Sequence, residues 1–350
     1  MKKTLHGLLA LVATGALTLG ACSGTASDKK GDTKDKSTTS APAEYKAPVK
    51  ISFKDPKGNP AEITLEKMPK KVVLLDNRSV ATLENWGIKP VAVPKPVLSK
   101  NAKFKNDDSI KDVGSHTETN FEIIAAAKPD LIIVGQRFGQ HYDKIKDVAK
   151  DAPVLYNDIK LPKEVKDTKA SEAGKILADS LKKNTTDLGK IFGKEKEAEK
   201  INADFDKSIE AAKKAIPAGD KVLAVNTNGG KLGYLAPHVG RTLGPLYDIL
   251  GWTPAIAVKE GTNNHKGDEV SVETLAQSNP QWIFVMDRDA AVGSKNNAAH
   301  GVDLVKSSPA MANVDAVKKN HIIAMPDDTY VNESIQLFTK FFNDLAKQAK

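Results

Sequence analysis

A segment that occurs twice constrains the fold more than any other feature of the sequence. Residues 121–137 read FEIIAAAKPDLIIVGQR and residues 272–288 read VETLAQSNPQWIFVMDR, and the two align without a gap. Each begins with a helical pattern, is interrupted by a proline, continues as an apolar strand and ends in an arginine, Arg137 or Arg288. Open α/β sheets bind their ligands at the carboxyl ends of parallel strands. The repeat therefore predicts two α/β lobes that direct both arginines towards one anion; two unrelated αβ units are the alternative.

The length and the order of the predicted elements also favour two lobes. A chain of 350 residues exceeds what one compact core usually holds. Short apolar strands alternate with helices over residues 49–182 and again over residues 218–350, which predicts an N-terminal and a C-terminal α/β lobe. A long helical pattern between them predicts a connecting helix over residues 183–217, with an ordinary surface helix pair as the alternative.

The N-terminus indicates export and a lipid anchor. Residues 1–21 combine a basic start with a short apolar run, as in a cleaved signal peptide. The run ends in the sequence LGAC, which matches a bacterial lipobox, so Cys22, the only cysteine, is expected to be diacylated. Residues 22–48 are small and polar, which predicts a flexible tether. We therefore expect a globular body anchored at the extracytoplasmic face of the cell membrane.

Arginine is scarce, and its positions suggest an anion site. The formal net charge of +8 favours anionic partners, although nucleic acid is a poor candidate for an exported protein. Lysine supplies all fixed cations except Arg78, Arg137, Arg241 and Arg288. A guanidinium can bind two oxygens at once and is weakly hydrated, so it suits a half-buried anion site. The last three arginines are predicted to bind a ligand, with a local salt bridge as the alternative for each; Arg78 is the most ambiguous.

The sequence contains no motif that announces catalysis or a zinc site. No GxSxG, P-loop or GxGxxG sequence occurs, and no two histidines have the HxxxH or HExxH spacing. His265 lies in a polar loop, and Tyr330 follows the last predicted strand. A solvated loop histidine and a tyrosine that packs under the terminal helix are the structural alternatives for these two residues.

Several segments together resemble the iron-siderophore substrate-binding lipoproteins of ABC importers. They are the lipobox and tether, PKKVVLLD, NFEIIAAAKPDLIIVG, the long central helix and SVETLAQSNPQWIFVMDR. The resemblance covers nearly all of the mature chain and is strongest to the branch that binds petrobactin and catecholates. It implies an α/β fold of two Rossmann-like lobes joined by a single long backbone helix, the class III type of periplasmic binding protein.

The resemblance also assigns roles to individual residues. It implies three cleft arginines that bind the ligand, and a histidine and a tyrosine that complete the coordination of iron only when the siderophore is tetradentate. It further implies one acidic residue on each lobe that docks onto the permease, although both also suit the N-terminus of a helix. The implied ligand-binding residues are Arg137, Arg241, Arg288, His265 and Tyr330, and the implied docking residues are Glu122 and Glu273.

These observations predict a monomeric cell-surface lipoprotein receptor, not an enzyme, that needs no cofactor. Its ligand would be a ferric siderophore of the catecholate type, and its partner would be an ABC importer permease. A haem or cobalamin receptor of the same fold is an alternative. A surface enzyme that acts on an anionic substrate and a divalent-metal receptor are further alternatives, and neither has a supporting motif in the sequence.

Overall fold

The computed structural model describes residues 45–256, 260–293 and 300–348. The predicted signal peptide over residues 1–21, the predicted lipidation site Cys22 and the tether up to residue 44 lie outside the described residues. Within the described ranges, no helix is both long enough and apolar enough to cross a membrane.

The N-terminal lobe is a parallel sheet preceded by a hairpin. In the hairpin, β1 (Val49–Lys54) pairs antiparallel with β2 (Pro60–Leu65). The sheet has the strand order β5-β4-β3-β6-β7, and every neighbouring pair in it is parallel. Its strands are β3 (Val72–Leu75), β4 (Ala92–Val93), β5 (Lys111–Asp112), β6 (Leu131–Val134) and β7 (Val154–Tyr156), and its helices are α1 (Asn77–Asn85), α2 (Phe121–Ala126) and α3 (Tyr142–Val148).

The C-terminal lobe contains a second sheet with the order β10-β8-β11-β12. These strands are parallel, and β9 pairs antiparallel with β8. The strands are β8 (Lys221–Asn228), β9 (Lys231–Tyr234), β10 (Thr253–Pro254), β11 (Trp282–Met286) and β12 (Ile322–Ala324). The helices are α6 (Gly244–Leu250), α7 (Val272–Gln277), α8 (Arg288–Val292), α9 (Gly301–Ser307), α10 (Asp315–Lys318), α11 (Thr329–Asn332) and α12 (Ile335–Gln348).

The two copies of the repeated segment occupy equivalent places in the two lobes. The order β4-β3-β6-β7 in one sheet corresponds to β10-β8-β11-β12 in the other. In each copy a short helix, α2 or α7, precedes a fully buried strand, β6 or β11. Lys128 and Asn279, the residues just before the two prolines, both have a positive φ, 44° and 40°. The prediction of two α/β lobes with parallel sheets is confirmed.

Two helices, rather than one, lie between the lobes. They are α4 (Ala173–Phe192) and α5 (Glu195–Ala212), and Gly193 ends α4 because its φ of 61° is a left-handed conformation that glycine adopts without strain. The predicted connecting segment, residues 183–217, therefore contains the second half of α4 and all of α5.

The helix that spans both lobes is α4. Leu177 and Leu181, near its start, pack in the core around β8 and β11, whereas Leu188 and Ile191, near its end, pack in the core around β3 and β6. The first residues of α4 were assigned from the sequence to the N-terminal lobe, but their apolar side chains contact the C-terminal one. The helix α5 packs beside α12, with Phe205 and Phe342 6.0 Å apart between ring centroids.

A second connection is formed by residues 328–336, here called the bridging segment. It contains α11 and the start of α12, and it is hydrogen-bonded to the N-terminal lobe. Asn77 Nδ2 donates to the carbonyl of Val331 at 2.8 Å, and Gln336 Nε2 donates to Thr82 Oγ1 at 2.8 Å. The bridging segment thus fixes one end of the cleft between the lobes.

Candidate functional site

A cleft of about 650 Å³ lies between the lobes and contains all five predicted ligand-binding residues. The lining comes from both lobes and combines cationic, aromatic and apolar side chains. The lining residues are Pro96, Val97, Leu98, Lys100, Lys105, His116, Arg137, Arg241, His265, Arg288, Ala290, Ala291, Val292, Gly293, Tyr330 and Val331. Residues that are far apart in the sequence therefore meet in a single site.

The strand ends place two of the three arginines. Arg137 follows β6 in a 3-10 helix, Gln136–His141, and Arg288 is the first residue of α8, directly after β11. Because the carboxyl ends of both sheets face the cleft, the repeat brings these two guanidinium groups together. Arg241 comes from the turn before α6 and has no counterpart in the repeat.

The three guanidinium groups surround the ring of Tyr330. Their central carbons lie 5.6 Å (Arg137), 4.3 Å (Arg241) and 5.1 Å (Arg288) from the ring centroid. The carbonyl of Tyr330 also accepts hydrogen bonds from Arg137 Nη2 at 3.1 Å and from Arg241 Nη2 at 3.3 Å. A cation near an aromatic face is stabilised by the ring quadrupole. Tyr330, only 7% exposed, is thus the centre around which the three cations are arranged.

The arginines of the cleft repel one another and are incompletely paired. Burial, and then the charge of Arg241, lower the pKa of Arg137, although a guanidinium stays protonated in proteins. Arg288 donates from Nη1 to Asn228 Oδ1 at 2.9 Å, and its nearest carboxylate, Asp289, is 4.0 Å away. The Nε atoms of Arg241 and Arg288 are buried without a hydrogen-bond partner. Such a cluster of cations is suited to an anionic ligand.

The fourth arginine, Arg78, is not part of the cleft lining. It forms ion pairs with Asp158 at 3.2 Å and with Glu333 at 3.1 Å, and only 12% of its side chain is exposed. Arg78, the most ambiguous of the four in the sequence, is therefore an ion-pairing residue whose two partners are distant in the sequence. Glu333, which the sequence reasoning missed, also lies 3.4 Å from Arg241.

His265 is an exposed residue that lines the cleft from the loop before α7. Its backbone carbonyl accepts a hydrogen bond from Asn226 Nδ2 at 3.1 Å. Partial burial, followed by the charges of Arg288, Lys266 and Arg241, lowers the pKa of its imidazole. The ring is therefore neutral near pH 7, the form in which histidine can bind a metal.

The N-terminal lobe contributes cleft residues that the sequence did not single out. His116 lines the cleft, and burial together with Arg137 and His141 lowers the pKa of its imidazole. Lys105 donates to the carbonyl of Leu98 at 3.0 Å. Because lysines are scattered over the whole chain, no pattern in the sequence could distinguish this lysine from the solvated ones.

No ready-made metal centre is present in the part of the chain that the structure describes, where no group of three or more His, Cys, Asp or Glu side chains could hold an ion. His265 and Tyr330 both line the cleft, together with a second histidine, His116, and the three arginines. The three guanidinium groups suit the recognition of negative charge.

The two predicted docking residues occupy equivalent and exposed positions outside the cleft. Glu122 is the second residue of α2, and Glu273 is the second residue of α7. The preceding N-caps are Asn120, whose Oδ1 accepts from Ile123, and Ser271, whose Oγ accepts from Thr274. An acidic side chain in this position also stabilises the helix, so the geometry is compatible with both roles.

Comparison with known proteins places the chain among binding proteins. Residues 72–329 match the family described as periplasmic binding protein. The petrobactin-binding protein YclQ of Bacillus subtilis is 32% identical over 336 residues, which cover 94% of this chain and 93% of YclQ. The ferric-anguibactin-binding protein FatB of Vibrio anguillarum is 26% identical and covers 78% of this chain and 79% of FatB.

Solved structures agree with the fold. The crystal structure of YclQ from Bacillus subtilis superposes with a TM-score of 0.70 at 28% identity, over 86% of this chain and 99% of that one. The catecholate-siderophore binding protein VctP of Vibrio cholerae has a TM-score of 0.69 at 22% identity, over 86% of this chain and all of VctP, which supports the fold alone. The resemblance stated from the sequence is confirmed, and the chain belongs to the periplasmic binding protein family, whose members bind substrates and are not enzymes.

Proposed function

We propose that this protein is a lipid-anchored surface receptor that binds an anionic ferric siderophore of the catecholate type and delivers it to an ABC importer permease. The observation that carries the proposal is the arrangement of Arg137, Arg241 and Arg288 around Tyr330 in the interlobe cleft. The relatives that bind petrobactin and ferric anguibactin support the same class of ligand.

The charge of the cleft suits such a ligand. A ferric tris-catecholate carries roughly three negative charges, and guanidinium groups donate charge-assisted hydrogen bonds to its oxygens without replacing them as iron ligands. Each such bond contributes about 1.5–3 kcal/mol when the site is partly desolvated. The apolar residues Val97, Leu98, Ala291 and Val292 supply surface for the aromatic rings of the ligand.

His265 and Tyr330 would add direct ligands to iron in one case. A tetradentate siderophore leaves coordination positions of the ferric ion open, whereas a hexadentate siderophore fills them all. A phenolate is a hard oxygen ligand suited to Fe³⁺, and a neutral imidazole is a common metal ligand. Both residues line the cleft, so both border the space that the ligand would occupy.

The ligand class is tested by titrating the protein with a panel of compounds and following the quenching of its intrinsic fluorescence. The panel contains ferric tris- and bis-catecholates, a ferric hydroxamate of low charge, haem, cobalamin and Zn²⁺. We expect saturable binding of the ferric catecholates with one ligand per protein, and clearly weaker binding of the hydroxamate. Tighter binding of haem, cobalamin or Zn²⁺ than of any ferric catecholate would refute the proposed ligand.

Anchoring is tested separately, at Cys22. Cys22→Ala removes the thiol that would be acylated, so we expect the variant to appear in the soluble fraction of the producing cells while its ligand affinity is unchanged. A variant that remains in the membrane fraction would refute the lipobox interpretation.

A further inference from the structure

A buried carboxylate lies against the arginine cluster and reduces its charge. Glu333 Oε2 is 3.1 Å from Arg78 Nη2 and 3.4 Å from Arg241 Nη2, and Thr242 Oγ1 donates to Glu333 Oε1 at 2.6 Å. Only 12% of the Glu333 side chain is exposed. The carboxylate therefore acts directly on Arg241, one of the three guanidinium groups at the Tyr330 ring.

Side chains from two other elements hold this carboxylate in place. Arg78 belongs to α1 of the N-terminal lobe, Arg241 and Thr242 precede α6, and Glu333 belongs to the bridging segment. The backbone of Glu333 has a φ of 47°, a left-handed conformation that is unfavourable for a residue other than glycine. A strained residue of this kind persists where its surroundings fix it, and such residues concentrate at functional sites.

Glu333 is not required merely to neutralise Arg78. Arg78 has a second carboxylate partner, Asp158, at 3.2 Å. Burial raises the pKa of Glu333, but Arg241, Arg78 and the hydrogen bond from Thr242 outweigh that effect and hold the pKa below its usual range. The carboxylate is thus fully ionised at neutral pH, and one negative charge is available to offset Arg241.

We infer that, given the proposed function, Glu333 is a specificity-determining residue that lowers the preference of the cleft for the most highly charged ferric complexes. Of the three cleft arginines, Arg241 is the one that forms an ion pair with Glu333, at 3.4 Å, so its positive charge is offset most directly. The cleft is thereby tuned to tolerate ferric complexes of lower negative charge, such as tetradentate bis-catecholates, beside the triply charged tris-catecholates.

The test compares the affinities for a ferric tris-catecholate and a ferric bis-catecholate, measured by fluorescence quenching. Glu333→Gln keeps the size of the side chain and an acceptor for Thr242 but removes the charge. Loss of a partly buried charge near a bound ion changes affinity on the order of tenfold for each charge on that ion. The ratio of the two affinities should therefore shift at least about tenfold towards the tris-catecholate, and the shift should shrink at high salt.

Two further variants separate charge from shape. Glu333→Asp keeps the charge and should keep the wild-type ratio, even if both affinities fall. Asp158→Asn removes the other carboxylate of Arg78 and changes the net charge of the protein equally, but it does not touch Arg241, so it should shift the ratio much less than Glu333→Gln.

An unchanged ratio in Glu333→Gln would overturn the inference, as would an equal shift in Asp158→Asn or in Glu333→Asp. Thermal melting of each variant shows whether it is folded. Wild-type protein that binds neither complex would refute the proposed function itself, whereas wild-type protein that binds both with a ratio insensitive to Glu333 would refute only the role of this residue.

Discussion

The two lobes share one strand order but contribute unequally to the cleft. From the N-terminal lobe, Arg137 is the arginine of the cleft, whereas the C-terminal lobe supplies Arg241, His265, Arg288 and Tyr330. The repeated segment accounts for Arg137 and Arg288 alone. The centre of the cluster is Tyr330, which belongs to the bridging segment and has no counterpart in the other lobe. The repeat thus accounts for the positions of Arg137 and Arg288, and Tyr330, outside the repeat, is the residue that both of them contact.

A similar contrast appears where the two repeated strands end. Gly135 and Met286 occupy equivalent positions in the repeat. A Cβ atom at Gly135 would lie 2.3 Å from Asp76 Oδ1 and 2.9 Å from Asp76 Cα, so the close packing of β6 against the end of β3 requires glycine. In the C-terminal lobe, Met286 is fully buried in the core. Equivalent positions in the two lobes are therefore packed differently, with glycine in one and a large apolar side chain in the other.

The largest expected effects are losses of stability at these two positions, where the packing of the two lobes differs. Met286→Ala leaves a cavity in the C-terminal core and should lower the free energy of unfolding by about 2–5 kcal/mol. Gly135→Ala creates a clash in the N-terminal lobe and should lower it by about 1–3 kcal/mol. Urea denaturation measures both. Met68→Ala, the same chemical change at a 37% exposed position, is the control and should stay within about 0.5 kcal/mol of wild type. Comparable losses in Met68→Ala and Met286→Ala would contradict this assignment.

The next effect concerns the arginines. Arg137→Ala, Arg241→Ala and Arg288→Ala should each weaken binding of a ferric catecholate by about 1.5–3 kcal/mol, because each removes a charge-assisted hydrogen bond in a partly desolvated cleft. Isothermal titration calorimetry measures the affinities. Lys144→Ala, which removes an exposed cation of α3 away from the cleft, is the matched control and should bind as wild type. Three unchanged affinities would show that the arginine cluster does not bind the ligand.

The histidines sharpen the comparison between the lobes, because each lobe presents one to the cleft. We expect His265→Ala and Tyr330→Phe to weaken binding of a tetradentate ferric complex about tenfold more than that of a hexadentate one, since only the former has open coordination positions. The wild-type tetradentate complex should also show a charge-transfer band shifted from that of the free complex. His116→Ala is the control from the N-terminal lobe and should affect both ligands alike. Equal losses of affinity for both ligand types, or the absence of a band shift, would mean that His265 and Tyr330 do not bind iron and have structural roles.

The smallest effect on ligand affinity is expected at the two equivalent glutamates. Glu122→Arg and Glu273→Arg should leave ligand binding unchanged but impair iron uptake by cells, because a reversed charge would repel cationic groups on a permease. Glu199→Arg, an exposed position on α5, serves as the control for a reversed surface charge. Normal uptake in the double variant Glu122→Arg/Glu273→Arg would instead favour a purely helix-stabilising role.

Much of the fold could be predicted because the repeat is local in sequence. Its apolar strands, its prolines and its final arginines fall within 17-residue windows, 121–137 and 272–288, and the sheets form around them as expected. The break between α4 and α5 corresponds to the helix pair that was the alternative to one connecting helix, and the sequence did not decide between them because Gly193 interrupts the helical pattern only briefly. The packing of α4 in both cores at once depends on tertiary structure, which no local pattern encodes.

The residues of the candidate site were also only partly predictable from the sequence. Arg137 and Arg288 could be found from strand ends, and the scarcity of arginine pointed to Arg241. Glu333 could not be found, because its partners Arg78 and Arg241 are far away in the sequence and its left-handed backbone has no signature in the residue type. Arg78 was ambiguous for the same reason, since its ion pairs exist only after both lobes have folded.

The most direct test of the central claim, that arginines from both lobes bind the same anion, is the affinity of the double variant Arg137→Ala/Arg288→Ala for one ferric catecholate. Calorimetry of this variant, both single variants and wild type gives the four affinities and the stoichiometry. If both guanidinium groups contact one bound ligand, the double variant binds more weakly than either single variant, and wild type binds one ligand per protein. The contradicting result is a double variant whose affinity equals that of the single variant with the lower affinity. Only one lobe would then supply a ligand-binding arginine.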